Sequence, residues 1–469
     1  MAKRIKTTKS KNSESYCIID DYTNPLTHKR STFIVEKLGS LSSLKEKYNT
    51  DSKDVVMKHL NQHLEILKEL DKEEKSPVDI LLHPQKIIEK NDIRLFNIGY
   101  LYLRNILSSL GLKNISKNIS ESYHFKFDLY SIIADLVCAR IIYPGSKRSS
   151  YLDARHFIES PEYKLENAYR SLPVIADNRY FIESQLYKNS RDICKRNDSI
   201  LYYDCTNYYF EIEQEDGDKK YGKSKEHRPN PIIQMGMFMD GDGIPLAFSL
   251  FPGNANEQTS LRPLETKVLQ DFGCTKFIYC SDAGLGSEAI KRINHAGERA
   301  FIVTQSIKKL NKEDKKWALD KNGFKRVSDD TPVNLSEIPD DDNGLYYKDE
   351  PYTPHTLHQR LIVTYSPKYA RYQKSIREAQ VERAEKMLQT GNIKKERKNP
   401  NDPARFIGKV AATEDGEIAK IYNYLDTEKI ELEALYDGIY AVTTDLLDDD
   451  VKDILKVSEG RWEIEEYFR

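Results

Sequence analysis

Cysteine, tryptophan, long apolar runs and net charge are all scarce in this 469-residue chain. The six cysteines, at 17, 138, 194, 205, 274 and 280, include no Cys-x-x-Cys pair. That argues against a zinc site or a disulfide framework and fits a reducing cytoplasm, the expected location. No run of about 18 apolar residues occurs and no apolar core follows the N-terminal charges, so neither a membrane span nor a signal peptide is expected. Lys plus Arg number 72 and Asp plus Glu 74, and a net charge of -2 says nothing about an anionic partner. The distribution of charge says more. Lys3, Arg4, Lys6, Lys9 and Lys11 precede the first acid, Glu14, whereas acids cluster at Asp340 to Asp342 and at Asp448 to Asp450. A basic arm of this kind either contacts nucleic acid or keeps a tail solvated.

What is present is organised around two aspartates. Leu201 to Phe210 (LYYDCTNYYF) is a β-rich run that carries Asp204. Lys276 to Gly284 (KFIYCSDAG) is a second apolar strand, closing on Asp282 and opening into a glycine turn. One such aspartate is an ordinary strand-end residue. Two of them, 78 residues apart, are the beginning of a site held on rigid elements.

The length allows two to four domains. Residues 1–50 are polar, with one strand signal at Thr32 to Val35, and are expected to be a weakly ordered basic arm with at most a small strand pair. Residues 51–196 read as an all-helical DNA-binding or dimerisation domain. There Val56, Leu60, Leu64 and Leu67 share a face, Gly111 ends a helix begun near Arg94, Asp128 caps the next, and a last helix covers 177–196. His59 and His63 stand at metal-ligand spacing but lack a third ligand nearby and read as solvated. After Pro144-Gly145 the basic, hydroxyl-rich stretch with Lys147 and Arg148 is either a phosphate-contacting turn or a solvated loop.

Residues 197–304 give the order strand, strand, strand, helix, strand, helix, strand, with a hairpin signal at Asp240-Gly-Asp-Gly243. That order matches a ribonuclease-H-like α/β core with a mixed sheet. Residues 305–445 change to short β-like pieces around a long helix, about 367–389, and read as a β-rich insertion. From 367 to 410, twelve basic residues face five acidic ones, a net of +7, which marks either a duplex-backbone surface or a solvated helix with a Lys-rich loop. Residues 446–469 bring a helix back to the core, with Arg461 and Glu465 four apart on one face. The whole is an α+β multidomain chain: helical domain, α/β core, insertion, last helix.

Two strand-end aspartates need a third carboxylate to hold a pair of divalent ions for in-line phosphoryl displacement, and Glu465 is the best candidate. With Asp204-Cys-Thr206, Ser281-Asp282-Ala-Gly284 and Arg461-Trp-Glu-Ile-Glu465 in this order, the chain resembles the DDE transposases of bacterial and archaeal insertion sequences. The group in question ends in a Tyr, Arg, Glu, Lys signature. The blocks Gly222-Lys-Ser-Lys-Glu-His-Arg-Pro229 and Phe251-Pro-Gly-Asn-Ala-Asn-Glu257 resemble it too, and the likeness covers roughly residues 95 to 469. Ser458 stands where the signature has Tyr, Asn230 where many relatives carry Asp, and the chain ends at Arg469 before the expected Lys, as a C-terminally truncated copy would.

The resemblance implies metal-dependent cleavage of element ends and strand transfer into target DNA. Asp204, Asp282 and Glu465 would bind two Mg2+ ions, with Mn2+ able to substitute, and would converge within about 4 to 8 Å. It further implies that Arg461 contacts phosphate near the cleavage site, while Trp462 either stacks on a base or, as expected here, fills the core. Lys225, His227 and Arg228 join Lys147 and Arg148 as DNA contacts. The implied partners are the terminal inverted repeats, the target DNA and a second copy in a homodimer on DNA, with no membrane. Two alternatives stay open: an inactive truncated transposase acting as a DNA-binding inhibitor, and a ribonuclease-H-like nuclease without strand transfer.

Overall fold

The computed structural model describes residues 3–9, 13–23, 30–74, 95–339, 341–391, 393, 402–412 and 420–468. They fall into two compact units, Met1–Ile175 and Ala176–Arg469.

The first unit opens with three antiparallel strands, β1 (Arg4–Lys9), β2 (Glu14–Thr23) and β3 (Arg30–Ser40). The expected weakly ordered arm is therefore a sheet in its described residues. Its charges are partly used internally: Arg4 pairs with Asp21 at 3.3 Å, and Glu14 takes Lys53 at 2.8 Å and Lys9 at 4.0 Å. Lys11 lies outside the described residues. Two helices follow, α1 (Leu41–Lys47) and α2 (Lys53–Glu74). Val56 and Leu60, on the face expected from their spacing, bury against Tyr16 and Leu44.

Next come α3 (Tyr100–Ser109), α4 (Leu112–Glu121), α5 (Leu129–Ile142), α6 (Lys147–Ala154) and α7 (Leu165–Asp177). Gly111 takes the left-handed conformation that ends α3, with φ 69°, and the Asp128 carboxylate accepts the amides of Tyr130 and Ser131 at the start of α5. The helix expected from Arg94 begins at Tyr100, whose ring stacks on Phe157 at 4.2 Å. The stretch with Lys147 and Arg148 is the first turn of α6, capped by Ser146, with both side chains exposed. No single helix among the described residues is long and apolar enough to cross a membrane.

The second unit starts with α8 (Arg179–Ile193), so the helix expected over 177–196 is shorter and preceded by a separate one. Its sheet is built from β4 (Ile200–Tyr209), β5 (Ile232–Asp240) and β6 (Pro245–Pro252), then α9 (Glu257–Asp271), β7 (Ile278–Ser281), α10 (Glu288–Asn294) and β8 (Ala300–Thr304). This is the expected order. The hairpin between β5 and β6 turns on Asp240, which is buried against Arg196 at 2.5 Å and accepts the amides of Asp242 and Ile244. Gly243 supplies φ 78°.

Then follow α11 (Lys312–Leu319), β9 (Phe324–Arg326), β10 (Pro332–Val333), β11 (Tyr346–Tyr352), β12 (Gln359–Tyr365), α12 (Pro367–Thr390), β13 (Ile407–Ala412), β14 (Lys420–Leu425), α13 (Thr427–Ala434), β15 (Ile439–Thr444), α14 (Val451–Gly460) and α15 (Trp462–Tyr467). Most strands of the expected insertion belong to the main sheet. It has ten strands in the order β10-β9-β11-β12-β15-β8-β7-β4-β5-β6, and β13 and β14 form a separate ribbon. Neighbours β4–β7 and β7–β8 run parallel. The protein is thus α+β, with N-terminal helices and a large mixed sheet.

Because strand side chains alternate, the sheet has two different faces. Leu201, Tyr203, Phe301 and Val303 pack on one side with Leu261, Leu264 and Val268 of α9. Tyr202, Cys280, Ile302 and Val442 pack on the other with Val451, Ile454 and Leu455 of α14 and Ile464 of α15.

Candidate functional site

Strand pairing sets the two aspartates side by side. β4 and β7 are parallel with Tyr202 opposite Cys280, the last pair of the ladder; Asp204 lies two residues further along β4 and Asp282 just past the end of β7, close enough for their charges to interact. A step of two along β4 keeps Asp204 on the face that carries Tyr202, the face covered by α14 and α15. The Asp282 Oδ1 accepts the amides of Gly284 at 2.9 Å and Leu285 at 3.0 Å, a turn that fixes the carboxylate as the strand ends. Asp204 accepts the amide of Cys205 at 2.8 Å and is 8% exposed. Burial pushes its pKa up to about 6 from the ordinary 3.8. Lys225 opposes that rise, as do the Cys205 amide and Arg461, while the Asp282 carboxylate adds to it.

The last two helices reach the same face through a close backbone approach. A Cβ at Gly460 would stand 2.2 Å from the Tyr202 hydroxyl, which donates to the Val457 carbonyl at 3.0 Å. Arg461 joins α14 to α15 and pairs with Glu465 at 3.0 Å. The Arg461 side chain is 12% exposed, and its Nε is buried without a partner among the described residues. Trp462, expected in the core, points outward and is 62% exposed, because Ile464 and Phe468 fill the side of α15 that meets the sheet.

The chemistry of this donor set fits a hard cation as far as the two aspartates, whose oxygens are the ligands magnesium takes. Glu465 is turned to Arg461, and among the described residues no three His, Cys, Asp or Glu side chains are grouped to hold a metal ion. The arrangement is two neighbouring carboxylates with the Arg461 guanidinium, itself paired with Glu465, near enough to act on Asp204.

Comparison of the chain with protein-family models and with curated proteins finds no match.

Of the remaining sequence candidates, Lys225, His227 and Arg228 lie on the loop beside β4. The Lys225 ammonium donates to the Cys205 carbonyl, His227 takes a left-handed φ of 56°, and the Arg228 guanidinium lies 5.1 Å over the Tyr209 ring. Lys147 and Arg148 belong to the first unit. Of the basic excess over 367–410, Arg377 pairs with Asp437 at 2.5 Å, Arg405 with Glu433 at 2.9 Å and Lys386 with Glu382 at 2.7 Å. Lys394, Lys395, Arg397 and Lys398 lie outside the described residues.

Sequence reasoning missed Asn207, which holds the Lys225 loop through both ends of its amide. An asparagine inside an aromatic strand was the available signal, since that residue is depleted in strands.

Proposed function

We propose that the chain is a DNA phosphoryl transferase of the DDE transposase kind, with a ribonuclease-H-like core in the second unit. The observation that carries the reading is the nearness of Asp204, inside β4, to Asp282, just past the end of the parallel β7, on the side where the helix pair that bears Arg461 and Glu465 packs. A divalent ion bound there would lower the pKa of an attacking oxygen and neutralise a leaving one. Asp204 and Asp282 would hold it, and Glu465 would complete the set once released from Arg461. Arg461, nearly buried and with one donor unused, would then turn its fork to the phosphate, a geometry suited to bidentate contact. Trp462, exposed beside it, offers a face for stacking a base.

The test is strand transfer of a precut duplex carrying the DNA that flanks this gene, with Mg2+ or Mn2+ and with chelator. Joined products that need the ion and vanish in Asp204→Asn and Asp282→Asn support the reading. Hydrolysis without joining makes the protein a nuclease. Duplex binding with neither reaction favours the DNA-binding inhibitor, a second reading that the Arg461–Glu465 pairing supports.

A further inference from the structure

In the first unit, α3 carries large apolar side chains on its outer face as well as on its inner one. Tyr100, Leu103 and Leu107 pack inward with Cys138, Ala139, Ala154 and Phe157. The one charged residue of the helix, Arg104, also turns inward, to Asp135 at 2.7 Å and Glu159 at 2.9 Å. That leaves Leu101, Tyr102, Asn105, Ile106 and Ser109 exposed along the outer face, with Ile98 just ahead of the helix. The neighbouring α4 shows the ordinary arrangement: it buries Leu112, Ile115 and Ile119 and exposes Lys113, Lys117 and Glu121. Apolar residues on all sides are the mark of a helix that is covered on all sides.

The outer face is also large. Leu95 precedes it, and the bond from the Asn97 amide to the Tyr143 hydroxyl at 3.1 Å draws that ring to its edge. Leu95, Ile98, Leu101, Tyr102, Ile106 and Tyr143 are between 42% and 82% exposed and together leave roughly 700 Å² open. The largest apolar patch on a typical monomer is about 300–600 Å², and each partner in a standard interface contributes about 800 Å². The face has the shape of a contact too. Ile98, Tyr102 and Ile106 form one ridge at intervals of four, Leu101, Asn105 and Ser109 a second, and the groove between them fits the ridge of another helix crossing at about -50°.

We propose that this face is a two-fold interface between two copies of the chain, with Tyr102 beside the axis, and that it forms without DNA. Among the described residues of α3 no charge of either sign stands on the face. It therefore offers no cation to the phosphates of a nucleic acid, and it lacks the basic flank of a helix that lies on a membrane. Its own image is the partner it fits. A charge-free surface does not repel a copy of itself, both copies bring the same ridges and grooves, and the area matches what each side of a stable dimer contributes. Tyr102 stands in the middle of its ridge, so an axis through the face sets it against the same residue of the copy. The inference goes beyond the proposed function and does not depend on it.

Sedimentation equilibrium of the full chain, freed of nucleic acid by nuclease treatment, is the experiment. Interfaces of this size bind with micromolar Kd or tighter, so the native chain should be a dimer at about 10 µM and above. Tyr102→Glu and Tyr102→Lys each set like charges against one another across the axis, and both should be monomeric at that concentration. An equimolar mixture of the two should regain the dimer mass, because opposite charges then meet. Tyr102 is exposed, so neither change disturbs the packing beneath α3, and the regained dimer shows that both variants are folded. A monomeric native chain overturns the proposal, and the face is then covered by another protein or by the chain itself. A dimer that survives in either variant, or a mixture that stays monomeric, overturns it as well.

Discussion

Replacing Gly460 by alanine tests whether the close approach of α14 to β4 sets the last two helices in place. The added Cβ would sit 2.2 Å from the Tyr202 hydroxyl and 3.0 Å from its Cζ. Tyr202 cannot move aside easily: it is buried in the sheet and its hydroxyl is held by the Val457 carbonyl. Overpacking of this kind costs about 1–3 kcal/mol. The better helix propensity of alanine offsets up to about 1 kcal/mol, so a net loss near 1–2 kcal/mol is expected. Tyr202→Phe alone should cost about 1 kcal/mol through its lost hydrogen bond. In the Tyr202→Phe background the clashing oxygen is gone, and Gly460→Ala should become neutral or slightly stabilising. The interaction energy of the double-mutant cycle, read from denaturant unfolding, should therefore be favourable by about 1–2 kcal/mol. If Gly460→Ala stabilises the native protein, or costs the same in both backgrounds, the helix pair is not seated as described.

Two other outcomes are expected. The folded pKa of Asp204, about 6, lies above its ordinary 3.8. As pH rises through that window the unfolded chain loses the proton first, so the buried carboxylate lowers stability between roughly pH 4 and 6 and the loss persists above it. Asp204→Asn should then raise stability at neutral pH by up to about 3 kcal/mol and flatten the pH dependence in that window, and a variant less stable than the parent at neutral pH would contradict this. In the first unit Arg104 binds Asp135 at 2.7 Å and Glu159 at 2.9 Å, and the Tyr163 hydroxyl donates to Asp135. Arg104→Met should cost about 3–5 kcal/mol by stranding a buried carboxylate, much of it recovered in Arg104→Met with Asp135→Leu; a loss below about 1 kcal/mol for the single variant would refute the pairing.

The sequence was most legible where structure is local. The cap at Asp128, the left-handed Gly111 and the hairpin at Asp240 each depend on residues within a few positions of one another, and all three form as read. The strand order from β4 to β8 was legible for the same reason, since each crossover is short. The place of β11, β12 and β15 was not. Their apolar runs announce strands, but nothing in a run names its partner, and β15 pairs with β8 across more than a hundred intervening residues. Of the N-terminal sheet only the signal at Thr32 to Val35, inside β3, was legible, because the other strands mix charge with apolar residues and ion pairs such as Arg4–Asp21 are visible only once the strands are aligned. At the candidate site Asp282 follows the end of β7 as read, whereas Asp204, read as closing a short apolar run, stands inside the ten-residue β4, because the aromatic residues after it continue the strand. The outward turn of Trp462 was not readable, because either side of so short a helix offered it a place.

The seat of β15 between β8 and β12 also dictates a schedule for synthesis. β8 is complete at Thr304, and the strand that covers its far edge begins only at Ile439. At a ribosomal pace of about 5–20 residues per second, the apolar edge Phe301-Ile-Val303 waits roughly 7–27 s for its neighbour. During that interval the hairpin of β11 and β12 emerges with an equally unpaired side. Two open edges on one nascent chain can join each other out of register or recruit a neighbouring polysome product, so the yield of folded protein should respond to translation rate and to chaperones that shield strand edges.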